Sequence, residues 1–276
     1  MLQSAVRMNI LACPNSHKYT TGPSRSPYIE ERHSVRVGSL LVDFDGTACA
    51  ADVASELCQR FAPQGWQHYD ESVRRGELTL REAIDHQAQL LTGSHEEMLA
   101  FVLDSFAIDP GFLAVAAWAE QQQIAVAVVS DGFGFYIEPL LAAAGLPDLP
   151  VYANRLVGHP EGWRLEHPHQ HAECRSCGTC KVLAISRYRA RFGTVAFVGD
   201  GESDAYAARC ADVVFAKLRL AEICRRDRID YCEWHTFGNV RERLARGDVP
   251  ARRVPADCPG HAAGVADPTR TGVGRA

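Results

Sequence analysis

Runs of apolar residues that each end in a polar cluster form the main pattern of this chain. Three such runs cover residues 40–42, 124–129 and 195–198. Uninterrupted apolar runs of this length are typical of strands buried within a parallel sheet. Segments with the apolar spacing of amphipathic helices lie between them. The pattern therefore predicts an α/β fold with a doubly wound, mainly parallel, Rossmann-like sheet.

A polar helical block, about residues 64–105, follows the first predicted strand and helix. Thr79 and Glu82 have the spacing of a capping box, and Ser94 with Glu97 repeats it. No strand pattern occurs there. We therefore expect an inserted helical cap that lies over the carboxyl edge of the sheet.

The two ends of the chain differ in composition from this central part. Residues 1–37 and 248–276 are rich in Pro, Gly and polar residues and lack apolar periodicity. We expect both to be disordered extensions of a core that spans residues 38–247.

Composition and charge indicate which kinds of molecule the protein binds. The 276 residues carry a formal net charge of −5 without a basic cluster, and no apolar run approaches the ~20 residues that cross a bilayer. We expect a small phosphorylated metabolite as partner, neither nucleic acid nor membrane. The ten scattered cysteines favour a reduced, cytoplasmic protein. The sequence leaves open whether the protein forms a homodimer.

The apolar runs end at polar clusters that can assemble a site. Asp43 and Asp45 follow the first run, Ser130, Asp131 and Gly132 the second, and Asp200 with Asp204 the third. Carboxyl ends of parallel strands share one sheet edge, so the clusters should meet. Converging carboxylates require a counter-charge, and a hard divalent cation, Mg²⁺, fits oxygen ligands.

Other residues near these carboxylates suit an anion. We expect Ser130 and the N–H groups of Asp131 and Gly132, at a helix N-terminus, to cradle it. Lys181, at another helix start, supplies a positive charge. An anion, a metal and a carboxylate nucleophile together indicate phosphoryl transfer.

These motifs resemble, in order and spacing, those of the haloacid dehalogenase-like phosphatases. The matching residues are Asp43-Phe44-Asp45-Gly46-Thr47, Ser130, Lys181 and Gly199-Asp200-Gly201-Glu202-Ser203-Asp204. The resemblance implies that Asp43 is the nucleophile that forms an aspartyl-phosphate and that Asp45 is the general acid and base. It also implies that Asp43, the Asp45 carbonyl and Asp200 hold Mg²⁺, supported by Asp204, and that Ser130 and Lys181 bind phosphate.

The helical block with Phe61-Ala62-Pro63 and Gly65-Trp66, together with the His-Pro-His and cysteine-rich run before Lys181, resembles the methionine-salvage branch of that family. Phosphoserine and phosphoethanolamine/phosphocholine phosphatases are neighbours of this branch. This implies a phosphomonoester hydrolase for a methionine-salvage enol phosphate or, alternatively, for phosphoserine, phosphoethanolamine or phosphocholine. Asp52 lies where phosphoserine phosphatase has a substrate-contacting Glu, but an Asp that starts a helix is an equally good interpretation.

A cysteine-rich run before Lys181 has two interpretations. Cys174, Cys177 and Cys180, with His169 upstream, have a spacing that could hold a structural Zn²⁺. The alternative is a reduced loop that enters the phosphate site.

Two other classes share part of this pattern. Receiver modules of signalling proteins also phosphorylate an Asp at a strand end, but they need no acid such as Asp45 and no cap. A non-catalytic binding protein would not need every motif residue.

Overall fold

The computed structural model of the chain describes residues 36–250, together with 252 and 254. Within these residues the strands are β1 (Ser39–Val42), β2 (Ala125–Phe133), β3 (Val151–His159), β4 (Gly162–Glu166), β5 (Val195–Gly199), β6 (Val213–Ala216) and β7 (Cys232–Glu233). They form one sheet in the order β4-β3-β2-β1-β5-β6-β7. β4 is antiparallel to β3, and the other neighbours are parallel.

Helices connect the strands. They are α1 (Val53–Phe61), α2 (Gln67–Arg75), α3 (Leu80–Gln89), α4 (His95–Ser105), α5 (Pro110–Gln121), α6 (Gly134–Ala143), α7 (Lys181–Phe192), α8 (Ala205–Cys210), α9 (Leu218–Asp227) and α10 (Phe237–Arg246), with a 3₁₀ turn at Glu202–Asp204. The predicted α/β, doubly wound class is confirmed.

The sheet is covered on both faces. Leu40 and Val42 of β1 belong to a core with α1, α5, α6 and α10, whereas Leu41 belongs to a core with α7, α8 and α9. Side chains alternate between the faces of a strand, so each β1 residue is fully buried on one side or the other. This explains why the run contains no polar residue before Asp43.

We call α2, α3 and α4 the helical insert. They occupy residues 67–105, within the segment 64–105 where helices without strands were predicted. Capping boxes at Thr79 and Ser94 begin α3 and α4, as their sequence spacing indicates. α3 packs against β4, and α4 packs against α6.

Three details differ from the sequence pattern. β2 continues through Phe133, whereas the apolar run predicted an end before Ser130. Residues 151–166 form one antiparallel hairpin of two strands, although only residues 151–153 have the apolar pattern of a buried strand. β7 was not predicted, because two residues are too few to show a periodic pattern.

The predictions about the two chain ends and about membrane-spanning segments can be compared with the structure only over the described residues. The predicted extensions, residues 1–37 and 248–276, lie almost wholly outside them. No helix within the described part of the chain is long and apolar enough to cross a membrane.

Candidate active site

Asp43 lies directly beyond the last residue of β1. Its N–H donates to the carbonyl of Val198 in β5 (2.9 Å), which fixes it at the carboxyl edge of the sheet. The chain then turns at Gly46, whose φ of 73° is unfavourable for other residues. A Cβ at Gly46 would lie 2.5 Å from Asp200 Oδ2. Glycine therefore lets the turn approach the Asp200 carboxylate.

Lys181, the first residue of α7, joins two of the acidic strand ends. Its Nζ lies 2.6 Å from Asp43 Oδ1 and 2.6 Å from Asp204 Oδ1, and 3.3 Å from Ser203 Oγ. The lysine and both aspartates are buried. A buried cation between two buried carboxylates partly neutralises them where water cannot.

Burial and charge act together on this group. Burial raises the pKa of Asp43 well above its usual value, and the Asp204 charge raises it further, against the effect of Lys181. Burial would lower the pKa of Lys181, but Asp204 and Asp43 outweigh it and leave that pKa well above the usual value. Lys181 therefore stays protonated, and one more cation would favour ionised Asp43.

The carboxylates of Asp43, Asp200 and Asp204 suit a metal ion. One oxygen from each lies within 4.8 Å of the others; among the described residues no other group of three or more His, Cys, Asp or Glu meets this distance. Thr47 Oγ1 donates to Asp200 Oδ1 (2.7 Å). Asp204 Oδ2 accepts the N–H groups of Asp200 and Gly201. The residues present fit a hard divalent cation such as Mg²⁺.

Asp45 is held apart from this acidic group by its own partners. Its Oδ1 accepts the N–H of Val53 at the start of α1 (2.9 Å), and its Oδ2 accepts the Tyr136 hydroxyl (2.7 Å). Burial and then the charge of Asp52 raise the pKa of Asp45 to about 7. A carboxyl group with this pKa can both give and take a proton near neutral pH.

Ser130 and Gly132 occupy the end of β2. Gly132 N–H donates to Ser130 Oγ (2.9 Å), and Ser130 Oγ lies 3.5 Å from Asp45 Oδ2. A Cβ at Gly132 would lie 2.1 Å from the Tyr136 hydroxyl oxygen. Asp131 and Gly132 lie within β2, and α6 begins at Gly134, so both precede the helix N-terminus. Their contact with phosphate stays a prediction.

Asp131 faces both the cavity and the loop before Lys181. Its Oδ1 accepts the N–H of Thr179 (2.8 Å), and its carbonyl accepts Asn154 Nδ2 (2.6 Å). Its Oδ2 is buried without a hydrogen-bond partner. Burial raises the pKa of this carboxyl. Asp131 is thus a half-buried acidic residue with one buried oxygen left unsatisfied.

A cavity of about 460 Å³ lies over these strand ends. Asp43, Asp45, Ser130 and Asp200 line its sheet side. The helical insert and the residue before it contribute Trp66, Asp70, Val73, Arg74, Leu80, Ile84 and Gln87. The polar strand ends and the insert therefore share one enclosed space, as a small substrate requires.

Comparison with known families bears directly on this arrangement. A sequence model described as haloacid dehalogenase-like hydrolase matches residues 40–209, more than half of the chain. The chain belongs to the haloacid dehalogenase-like hydrolase family. The matched segment includes Asp43, Ser130, Lys181 and Asp204, and the predicted enzyme class, a phosphatase of this family, is confirmed.

Curated relatives extend over most of the described chain. The 2-hydroxy-3-keto-5-methylthiopentenyl-1-phosphate phosphatase of Brevibacillus brevis is 28% identical over 204 residues, covering 73% of this chain and 92% of the relative. The protein of the same name from Exiguobacterium sibiricum is 29% identical over 216 residues, covering 77% and 98%.

Solved structures share the fold of this haloacid dehalogenase-like hydrolase. A phospho-aspartyl intermediate analogue of phosphoserine phosphatase has a TM-score of 0.58 at 19% identity and covers 77% of this chain and 99% of its own. Phosphoserine phosphatase from T. onnurineus has a TM-score of 0.56 at 17% identity, with coverage of 76% and 94%.

The cysteine-rich loop of this hydrolase does not form the predicted zinc site. Within the described residues, Cys174, Cys177, Cys180 and His169 yield no set of three ligand atoms within 4.8 Å of one another. His169 instead packs its ring edge-on against Tyr152. The structure gives no support to structural zinc and places the loop beside the cavity over the strand ends, which Cys177 lines.

The position of Asp52 is compatible with both interpretations of its place in the sequence. Its Oδ1 accepts the N–H of Ser55 (2.9 Å), so it caps α1. It also lines the cavity. The helix cap is therefore observed, and a substrate contact stays a prediction.

Two residues of the site were not found from the sequence. Tyr136 donates to Asp45 although it lies in a predicted helix whose pattern marks it only as apolar. Asn154 donates to Asp131 from β3. Neither residue belongs to a motif, so only the three-dimensional arrangement indicates a role.

Proposed function

We propose that this haloacid dehalogenase-like hydrolase is a Mg²⁺-dependent phosphomonoesterase that transfers the phosphoryl group of a small metabolite to Asp43 and then to water. The contact between Lys181 and Asp43 carries the proposal. Because Asp43 Oδ1 is bound to Nζ at 2.6 Å, Oδ2 is the oxygen left to react. A carboxylate oxygen oriented in this way suits nucleophilic catalysis.

Asp45 supplies the proton in this scheme. Asp43 attacks phosphorus, the bond to the leaving oxygen breaks, and protonated Asp45 gives that oxygen its proton. Ionised Asp45 then takes a proton from the water that attacks the aspartyl-phosphate. Its pKa of about 7 supports both half-reactions.

Asp43, the Asp45 carbonyl and Asp200 would hold Mg²⁺, with Asp204 supporting them. The bound ion would neutralise charge on the phosphoryl oxygens. Asp204 supports the site by fixing the N–H groups of Asp200 and Gly201.

Ser130 and Lys181 would bind the remaining phosphoryl oxygens. Lys181 Nζ contacts three oxygens, so it must release one to contact a phosphate. The Ser203 hydroxyl, at 3.3 Å, is the longest of these contacts and the easiest to exchange. Asp131 and Gly132, which follow Ser130 in β2, are proposed to bind the phosphoryl group through their N–H groups.

The helical insert is proposed as a cap that excludes water and selects the substrate. Trp66, Val73, Leu80 and Ile84 give its wall an apolar part that suits a thioether. The relatives that are 28–29% identical are named for a methylthio-substituted phosphate. A methionine-salvage enol phosphate is therefore the preferred substrate.

A second substrate class is favoured by the charges in the same cavity. Asp52 and Asp70 face it from α1 and α2, and Asp131 has an unsatisfied oxygen. These carboxylates suit an ammonium group, as in phosphoserine, phosphoethanolamine or phosphocholine.

A panel of phosphomonoesters containing all four substrates tests the proposal. We expect phosphate release that needs Mg²⁺, stops in excess EDTA and is fastest with the enol phosphate. Asp43→Asn should lower turnover by on the order of 10⁴-fold. Asp85→Asn, a change in α3 outside the cavity lining, is the matched control. Equal turnover in EDTA, or by Asp43→Asn, would contradict the proposed function.

A further inference from the structure

In the loop before Lys181, one cysteine sulfur contacts two others, and the proposed chemistry uses none of the three. We call Cys174, Cys177 and Cys180 the thiol cluster. Cys174 Sγ accepts hydrogen bonds from the thiols of Cys177 and Cys180 and from the N–H groups of Ser176 and Cys177. These hydrogen bonds lower the pKa of Cys174, whereas the same contact with Cys174 raises that of Cys177. Cys174 Sγ is therefore the electron-rich sulfur of the cluster, and it accepts hydrogen bonds from the other two thiols.

The members of the thiol cluster differ in access. Cys174 and Cys180 are each only 3% exposed, whereas Cys177 is less buried and lines the cavity over the active site. A small reagent that enters this cavity meets Cys177 first. Cys177 in turn contacts a sulfur that is already polarised.

The thiol cluster lies between the helical insert and the catalytic lysine. Arg81 of α3 donates to the carbonyls of Cys174 and Cys177, and its own N–H donates to Ser176. On the other side, Thr179 N–H donates to Asp131 (2.8 Å). A change in the backbone of residues 174–177 must therefore reach the insert and the wall of the phosphate site.

We propose that Cys174 and Cys177 form a peroxide-sensitive disulfide that lowers turnover at the adjacent active site. The two residues already share a hydrogen bond, and a C-x₂-C spacing can accommodate a disulfide. The chemical class of the oxidant is a hydroperoxide, with hydrogen peroxide as the simplest member.

The oxidation balances in two steps. Cys177 sulfur attacks one peroxide oxygen while its proton passes along the existing hydrogen bond to Cys174 sulfur; the O–O bond breaks, giving a sulfenic acid at Cys177 and hydroxide. Cys174 sulfur then attacks the sulfenic sulfur, the S–S bond forms, and water leaves with the Cys174 proton. The two sulfurs lose two electrons, and the peroxide gains them.

Tryptic peptides of this sequence show which two cysteines a disulfide joins. Trypsin cleaves after Arg164, Arg175 and Lys181, which places Cys174 in peptide 165–175 and the other two cysteines in peptide 176–181. A Cys174–Cys177 bond links the two peptides, whereas a Cys177–Cys180 bond stays within the second. Fragmentation between residues 178 and 179 separates Cys177 from Cys180.

The test treats the purified full chain with hydrogen peroxide, blocks free thiols and maps the tryptic peptides by mass spectrometry. We expect the Cys174–Cys177 link, reversal by dithiothreitol, and a several-fold fall in turnover that recovers with the thiols. Cys177→Ser should slow oxidation of Cys174 by roughly tenfold, because the exposed sulfur is gone. Cys58→Ser, which removes a cysteine that also lines the cavity but lies outside the thiol cluster, should leave the link intact.

Several results would overturn the proposal. The first two are absence of the Cys174–Cys177 disulfide after peroxide treatment and oxidation of Cys58 to the same extent as the thiol cluster. The other two are stoichiometric zinc in protein purified without chelator and complete formation of the disulfide without any change in turnover. The turnover arm rests on the proposed function. If the reduced protein hydrolyses no phosphomonoester, that function fails, while the peptide map still decides whether the disulfide forms.

Discussion

The carboxyl edge of the sheet and the helical insert face one cavity, but they are constructed differently. At the sheet edge, Asp43, Lys181 and Asp204 are buried and bound to one another at 2.6 Å. In the insert, Asp70 accepts a hydrogen bond from Gln87 Nε2 at 2.8 Å, and Arg74 lies at the cavity. The comparison teaches that the edge is fixed for one reaction, whereas the insert can vary with the substrate.

Removing Lys181 should disturb the edge most. Lys181→Met leaves Asp43 and Asp204 buried without their counter-charge, so the free energy of unfolding should fall by about 3 kcal/mol, and turnover should be nearly lost. Added Mg²⁺ should restore part of the stability but not the turnover. Chemical denaturation with and without Mg²⁺ measures this.

Arg219→Met is the matched control for that change. Arg219 lies at the rim of the cavity with a 47% exposed side chain, paired with Glu202 and Glu222. Exposed pairs of this kind contribute about 1 kcal/mol or less. An equal loss of stability in both variants would contradict the role of Lys181 as a buried counter-charge.

Replacing Asp45 should remove proton transfer and leave the fold intact. Asp45→Asn should lower turnover of alkyl phosphates by on the order of 10³-fold, and that of aryl phosphates, whose leaving group needs less protonation, by much less. Wild-type turnover of alkyl phosphates should fall as pH rises through about 7, because Asp45 loses its proton there. A parallel loss for both substrate types would count against Asp45 as the acid.

The same raised pKa predicts a stability effect of defined sign. A pKa that is higher in the folded protein stabilises the fold fully below the unfolded value of 3.8, and this contribution is lost as pH rises through about 7. Asp45→Asn should therefore melt at a higher temperature than the wild type above pH 7, measured without metal, and the difference should shrink at lower pH.

A change in the insert should alter substrate preference rather than chemistry. Asp70→Asn keeps an oxygen for Gln87 but removes a charge, so KM for amine-bearing phosphates should rise roughly tenfold, equivalent to about 1.4 kcal/mol. KM for the enol phosphate should change little. Glu71→Gln, in the same helix but with a 56% exposed side chain, is the control. A large fall in kcat for every substrate would show that the insert is as fixed as the edge.

The smallest effect is expected at Asp52. Asp52→Ala removes the cap of α1 and should cost about 1 kcal/mol of stability, whereas Asp52→Asn keeps the cap. Thermal melts and KM values for both variants separate the two roles. A raised KM in Asp52→Asn without lost stability would support a substrate contact.

The difference between the carboxyl edge of the sheet and the helical insert also explains which site residues could be predicted from the sequence. Asp43, Asp45, Ser130 and Asp200 follow apolar runs, so strand topology alone brings them together. Lys181 was predicted as a positive charge at a helix start, but its contacts with Asp43 and Asp204 have no pattern in the sequence. The structure then adds the contacts that join these residues.

Other features depend on contacts distant in sequence. The contact of Tyr136 with Asp45 spans 91 residues, and that of Arg81 with the thiol cluster spans more than 90. Neither has a periodic signal. The zinc interpretation of the loop gains no support from the structure, because C-x₂-C-x₂-C spacing specifies sulfur atoms close in sequence, but not the mutual distances that a metal requires.

Trapping the phosphorylated enzyme tests the central claim most directly. The protein is mixed with a turned-over phosphomonoester and Mg²⁺, quenched in acid, reduced with borohydride and mapped by mass spectrometry, with Asp43→Asn as control. The account predicts that an aspartyl-phosphate is reduced to homoserine at position 43 alone and that the control shows none. Homoserine at another aspartate, or rapid turnover without any modified residue, would contradict it.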